Sequence, residues 1–390
     1  MRIRSVRKFV KRVLIATAAL CAIFAVAAAI FAARCATLTR QPKVQSEASR
    51  QRMKLTAGIK DYARAEESTY LGYPEWFIVW SYTEKADFQQ QRPPSQFPFF
   101  KSIQQYWSGY CCVHGMTRGK YPFNFGEHQM LAVIGGSFSI EYLIRSAYEN
   151  TVGRFTEWIS SHQAVEEDLY SNRVAREYAD FVHIRPFYEF SFWERFKGLW
   201  SQNKAWGRNP VRKWERRVFL SLDYSIEAFY CWLIEKASHA SYGVESADTY
   251  AWIENAPESI FTENPRIRKV KEAGPGAYIV IIPRYQEFTT VAAWLANRGV
   301  HFVEIAGNDE ILVTAIAPRN WAYVLTAGEL AFSTELAAAP EWKRVAIATP
   351  VLELHKVMNE LKNGGIRIEH DVLITDSGPE VLTADIPVVG

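Results

Sequence analysis

The residues whose types and spacing best suit acid–base or metal chemistry lie in SLDYSIEAFYCWLIEKASH, residues 221–239. Asp223, Glu227, Cys231, Glu235 and His239 fall there at every fourth position. On a helix such neighbours share a face, so the five form a slowly rotating polar stripe on an otherwise apolar rod. Glu235 and His239 are the types that hold a metal jointly, or that let a carboxylate orient an imidazole for proton transfer. A metal would need donors from other helices, and Glu127, His128, Glu141 and His183 are the available ones. The catalytic set expected from sequence is Glu141, His183, Glu227, Glu235 and His239, with metal and cofactor unspecified. The plainer expectation is the wet face of an amphipathic helix, and composition favours it. The chain has no Glu-x-x-His motif, so a di-iron bundle lacks support.

A second constellation is WERFKGLWSQNKAWGRNPVRKWERR, residues 193–217. Eight basic residues stand there against Glu194 and Glu215, interleaved with Trp193, Trp200, Trp206 and Trp214. Tryptophan prefers the headgroup level of a bilayer, and Lys and Arg are drawn to anionic lipid. These four indoles with Arg212 and Lys213 therefore read as a membrane contact. The alternative is a solvated loop whose tryptophans pack onto the domain. Nucleic acid recruits the same residue types, but no nucleic-acid fold motif accompanies them and no nucleic-acid partner is expected.

Two lesser candidates carry less. YLGYPEWFIVWSY (70–82) reads as a strand or short helix docking into the core; Glu75, between Pro74 and Trp76, would suit a general acid if buried, although a helix-start carboxylate after proline is the plainer expectation. CCVHG (111–115) places His114 beside Cys112, but catalytic Cys–His pairs are usually assembled from distant positions. Cys111 or Cys112 could pair with Cys231 in an oxidising space, although buried free thiols are the plainer expectation. No Walker A, GxSxG, HExxH or zinc-finger spacing is present.

The elements that must position these residues follow from hydropathy and charge. Residues 13–33 form a charge-free apolar run that spans roughly 31 Å as a helix, matching a bilayer core. Its length favours an uncleaved anchor over a signal peptide. Six basic residues crowd the first twelve positions, which orients the N-terminus inward and the bulk outside the cytoplasm. The whole chain of 390 residues has 45 Lys+Arg against 42 Asp+Glu. That balance hides a stem at 1–60 carrying +12, the basic aromatic segment at +6, and a remainder at −15.

After a polar connector (34–68), residues 69–262 hold ten of the thirteen tryptophans and three stretches of helical spacing: 128–146, 164–182 and 216–239. A linker is expected at 263–276. From 277 to 390 the pattern changes to strand, helix, glycine stop, strand, repeated once. Pro283 and Pro350 mark corresponding places in the copies, as do Leu295 and Leu361. Two such βαβ halves on one sheet make a ferredoxin-like domain. EILVTAIA (310–317) is expected to extend the first half as a hairpin, and the segment 318–342 to be irregular.

The expected class is therefore α+β: a basic tail (1–12), a transmembrane helix (13–33), an aromatic-rich mainly helical domain and a C-terminal ferredoxin-like domain with duplicated βαβ halves. The expected role is a single-pass cell-membrane protein with an extracytoplasmic binding or assembly function. Its partners would be membrane lipid and a protein, or its own copy through the C-terminal domain. The alternative is a membrane-tethered enzyme acting on a lipid or envelope substrate.

Overall fold

The computed structural model describes residues 66–118, 121, 123–241, 248–284, 286–369, 373–375 and 378–380, with isolated positions at 56, 58, 59, 62 and 63. The side chains of 66–69, 237–241, 286, 373–375 and 378–380 are outside that description, as is the expected anchor at 13–33. Among the described residues no helix is long and apolar enough to cross a membrane. The chain is a mixed helix-and-sheet protein: an aromatic-rich helical region followed by two four-stranded antiparallel sheets.

The helical region opens with α1 (Glu66–Gln91), 26 residues with Pro74 in its interior. The expected helix start at Pro74 is overturned, since the helix already runs from Glu66, as is the strand or short helix at 70–82. Tyr70, Tyr73, Phe77 and Trp80 recur at helical spacing and are all buried, and that burial outweighs one lost backbone hydrogen bond. Next comes α2 (Phe99–Thr117), which carries the Cys111–Cys112 pair. Cys111 is disulfide-bonded whereas Cys112 and Cys231 are free thiols, so Cys231 does not pair with either.

Helix α3 (Phe125–Tyr148) contains the expected 128–146 stretch and is capped by Asn124, whose side chain accepts from the Glu127 N–H. A π turn at Glu149–Gly153 leads into α4 (Arg154–Ile159). The 164–182 expectation becomes α5 (Glu166–Val182), with Asp168 accepting from the Val165 N–H at 3.1 Å. A further helix, α6 (Phe192–Gln202), occupies the first half of the basic aromatic segment. The expected 216–239 helix begins six residues earlier, as α7 (Pro210–Ser241), with proline in the favoured opening position.

The sheets follow one plan twice. The first comprises β1 (Asp248–Glu254), β2 (Arg268–Gly274), β3 (Ala277–Pro283) and β4 (His301–Ile305), in spatial order β2-β3-β1-β4. A short α8 (Ile260–Glu263) follows β1, and α9 (Gln286–Ala296) joins β3 to β4. The second comprises β5 (Glu310–Pro318), β6 (Glu329–Glu335), β7 (Trp342–Pro350) and β8 (Arg367–Ile368), in order β6-β7-β5-β8, with α10 (Leu354–Asn363) before β8. Position for position the orders are the same, a structural repeat in which Pro283 and Pro350 end β3 and β7 and Leu295 and Leu361 lie in α9 and α10.

Its unit, however, is larger than βαβ. In each copy the helix-linked strands flank a third strand antiparallel to both, and each copy builds its own sheet. Strand β2 fills the expected linker, β6 fills part of the expected irregular segment, and β5 is a central strand of the second sheet rather than a hairpin on the first. One apolar core spans both copies, including Val280, Ile282, Leu295, Val345, Ile347 and Leu361. At the outer edge of the first sheet β2 exposes Arg268, Lys269, Lys271 and Glu272, charges that discourage pairing with another strand.

The second sheet is docked on the helices. Ala348, Leu312 and Phe332 join the core of α1 and α2, where Phe332 meets Tyr73 edge-to-face at 5.0 Å. Arg344 of β7 is buried at this junction and pairs with Glu84 of α1 at 3.0 Å and Glu369 at 2.7 Å.

Candidate functional site

Four helices converge on one guanidinium. Arg145 of α3 donates through Nε to Glu141 at 2.9 Å, through Nη1 to Asp223 at 2.9 Å and through Nη2 to Glu227 at 3.3 Å. Glu141 lies one turn before Arg145, and Asp223 and Glu227 are successive turns of α7, so helical periodicity aims all three carboxylates at one point. Tyr82 of α1 donates to Glu141 at 2.6 Å, and Tyr178 of α5 packs on the Tyr82 ring at 4.9 Å. Buried Lys85, also on α1, lies 5.1 Å from the Tyr82 ring centre and 5.6 Å from that of Tyr142.

Two cations facing three carboxylates leave one negative charge in excess. The cluster resolves it on Glu227. Burial, then the charges of Glu141 and Asp223, push its carboxyl up to about 8 against the pull of Arg145 and Lys85. Burial and the Arg145 charge together bring the Lys85 ammonium down to about 8. Burial alone would lower the affinity of Arg145 for its proton, but Asp223, Glu141 and Glu227 more than reverse this and hold it charged. The result is a carboxyl and an amine that both exchange protons near neutrality.

Of the expected catalytic set, Glu141 and Glu227 therefore meet, through Arg145. His183 does not join them: its Nε2 lies 2.9 Å from the Thr83 hydroxyl, and burial pushes the imidazole down to about 4, so it is neutral. Glu235 lies two turns beyond Glu227, half-buried, and the side chain of His239 lies outside the described residues. Among the described residues no three His, Cys, Asp or Glu side chains are arranged to hold a metal. The cation between Glu141, Asp223 and Glu227 is a guanidinium. Sequence reasoning missed Arg145, Lys85 and Tyr82. Arg145 was signalled by its i,i+4 relation to Glu141, whereas the other two sit on a helix that Pro74 disguised.

The basic aromatic segment divides differently from the expectation. Arg212, Lys213, Arg216 and Arg217 share one face of α7, and all four are buried. Arg212 meets Asp168 at 2.9 Å and Glu157 at 3.3 Å, and Lys213 meets Glu166 at 2.8 Å and Glu167 at 3.0 Å. Arg216 reaches Glu149 at 2.7 Å and Arg217 reaches Glu167 at 2.6 Å. Arg212 and Lys213 are thus removed from the surface where a lipid headgroup would be met. The Glu166–Glu167–Asp168 run was the signal: three acids opening α5 complement four cations opening α7. Trp206 is 74% exposed, and Trp193 and Trp200 are also exposed, whereas Trp214 is half-buried between Trp200 and Trp206.

No protein-family model matches the chain, and no curated protein or solved structure is similar to it. Function must therefore be argued from these side chains alone.

Proposed function

We propose that this is a single-pass, membrane-anchored protein whose body lies outside the cytoplasm and serves a binding or assembly role. Its sheet region would then be two ferredoxin-like modules in tandem, offering a face to a protein partner or a second copy. The observation that carries the reading is the exposure of Trp193, Trp200 and Trp206 on a chain that also has a charge-free run at 13–33. The test is fractionation of the full chain with vesicles of phosphatidylcholine and phosphatidylglycerol, with protease added outside intact cells. Cofractionation that survives alkaline washing, and digestion of the body from outside, are expected. A full chain that washes free would overturn the reading.

A second reading, a membrane-tethered enzyme acting on a lipid or envelope substrate, is favoured by Glu227 and Lys85 both titrating near 8. Here Glu227 would be the proton donor and Glu141 its charge partner. Arg145 engages both carboxylates, so substrate would have to displace it. Hydrolysis or transfer on a bilayer lipid, lost in Glu227→Gln and retained in His183→Asn, would establish this reading.

A further inference from the structure

We propose that the outer faces of α3 and α7 form one apolar ridge seated against the acyl chains of a lipid bilayer. The proposal rests on the tethering argued above and adds which surface of the folded body meets lipid.

The two helices have their amphipathic sense inverted. Between 211 and 233 on α7 all seven exposed positions are large apolar residues, among them Leu222, Ile226, Phe229 and Leu233. All seven charged residues of the same stretch are buried or half-buried in ion pairs and packing. Helix α3 repeats this between 132 and 147: Val133, Ile140, Leu143 and Ile144 are exposed, while Glu141 and Arg145 turn inward. A helix lying on water shows the opposite arrangement.

The two stripes lie side by side. Tyr230 meets Ser137 at 3.2 Å, Arg145 meets Asp223 at 2.9 Å, and the rings of Tyr148 and Phe219 stack at 3.6 Å, so the helices run antiparallel in contact. An apolar surface of this extent on a folded protein marks a contact with lipid or protein.

The rims choose lipid. Exposed Trp206 stands between exposed Lys204 and Arg208 just before α7, and exposed Trp232 stands near exposed Lys236 at the other end of the stripe. Indole and cation at both ends of an apolar stripe is the pattern of an element lying in the interface, with rings and charges at headgroup depth. Antiparallel pairing of two copies would bring Lys204 and Arg208 of one against Lys236 of the other, like charge facing like. The apolar run at 13–33, separated from α1 only by residues 34–65, also keeps the body within reach of the bilayer.

The test places the full chain in vesicles containing a phospholipid with a diazirine on its acyl chain, followed by irradiation and peptide mapping. Labelling of α3 and α7 is expected at roughly tenfold the level on exposed strand β2, together with labelling of 13–33. Ile226→Glu with Phe229→Glu, both at exposed positions, should abolish labelling of α7 and leave 13–33 labelled; Leu222→Ser is a milder second variant that should reduce it. Label in 13–33 but at background on α3 and α7 would overturn the ridge and leave the anchor standing. Label on the ridge but none in 13–33 would uphold the ridge and remove the anchor. Background labelling of the ridge with a disulfide-linked dimer through Phe229→Cys would overturn the ridge in favour of a second copy.

Discussion

The guanidinium of Arg344, on strand β7, lies 4.5 Å from the centre of the Trp80 ring on helix α1. Glu84, one turn further along α1, closes the same contact as an ion pair at 3.0 Å. This joint fastens the second sheet to the helical region, and it is buried. Replacing Arg344 with Met would strand Glu84 and Glu369 without their cation, at a cost of about 3–5 kcal/mol. Urea unfolding followed by tryptophan emission and by far-ultraviolet circular dichroism should then lose its coincidence, as sheets and helices separate. The triple variant Arg344→Met, Glu84→Gln, Glu369→Gln should recover much of that loss, because no buried charge is left unpaired. Coincident transitions in the single variant would remove Arg344 as the fastening.

Arg145 plays the corresponding part inside the helical region, where it neutralises carboxylates from two helices. Arg145→Met should cost about 3–5 kcal/mol, for the same reason. Arg145→Lys should fall between that variant and the native protein, because one ammonium cannot hold three carboxylates arranged around a planar fork. Glu227→Gln should cost far less than either, since near neutral pH this carboxyl already carries its proton. Chemical denaturation of the three variants at pH 7 ranks them. A Glu227→Gln loss equal to that of Arg145→Met would contradict the assignment of the proton.

The same cluster gives the stability a pH signature. Glu227 rises from 4.5 to about 8 on folding, so across that window the folded state holds a proton that the unfolded chain releases. Its contribution to stability is complete below pH 4.5 and falls as pH rises to about 8, with a limiting slope of about 1.4 kcal/mol per pH unit. Lys85 descends from 10.5 to about 8, so between those values the unfolded chain holds the extra proton and stability recovers. Arg145, Glu141, Asp223, Tyr82 and Tyr178 surround the pair, and the expected profile has a minimum near pH 8. Glu227→Gln should flatten its acid side and Lys85→Met its alkaline side, as read by the urea midpoint at successive pH values.

How much of this was legible in the sequence follows from the range of each interaction. The three strongly patterned helices and the duplicated strand–helix–strand runs were readable because periodicity is local. Pro74 misled because its helix is sustained by burial of Tyr70, Tyr73 and Phe77 against distant partners. Strand β2 was hidden by its own role: an edge strand guarded by charge reads as a polar linker. Glu141 and Glu227 both stood in the expected catalytic set, but what brings them together is Arg145, and the metal or imidazole partnership was expected of Glu235 and His239. The cations at 212–217 were misassigned to lipid because neutralisation by Glu157 and the acids at 166–168 depends on how α4, α5 and α7 pack.

One contact gives opposite signs at adjacent positions. On α3, Gly135 lies directly beneath the Tyr106 ring of α2, whose hydroxyl donates to the Leu131 carbonyl at 2.7 Å. A methyl group at Gly135 would collide with that ring, which is fully buried and held at its far end, so it cannot yield cheaply. Gly135→Ala should therefore destabilise by about 1–3 kcal/mol, although alanine is the better helix former. Gly136, the next residue, has nothing within 4 Å of where its Cβ would stand. There only the helix preference acts, and Gly136→Ala should stabilise by about 0.5–1 kcal/mol. Thermal midpoints of the two variants should move in opposite directions from the parent. Movement in the same direction would mean that α2 and α3 are not held together by the Tyr106–Gly135 approach.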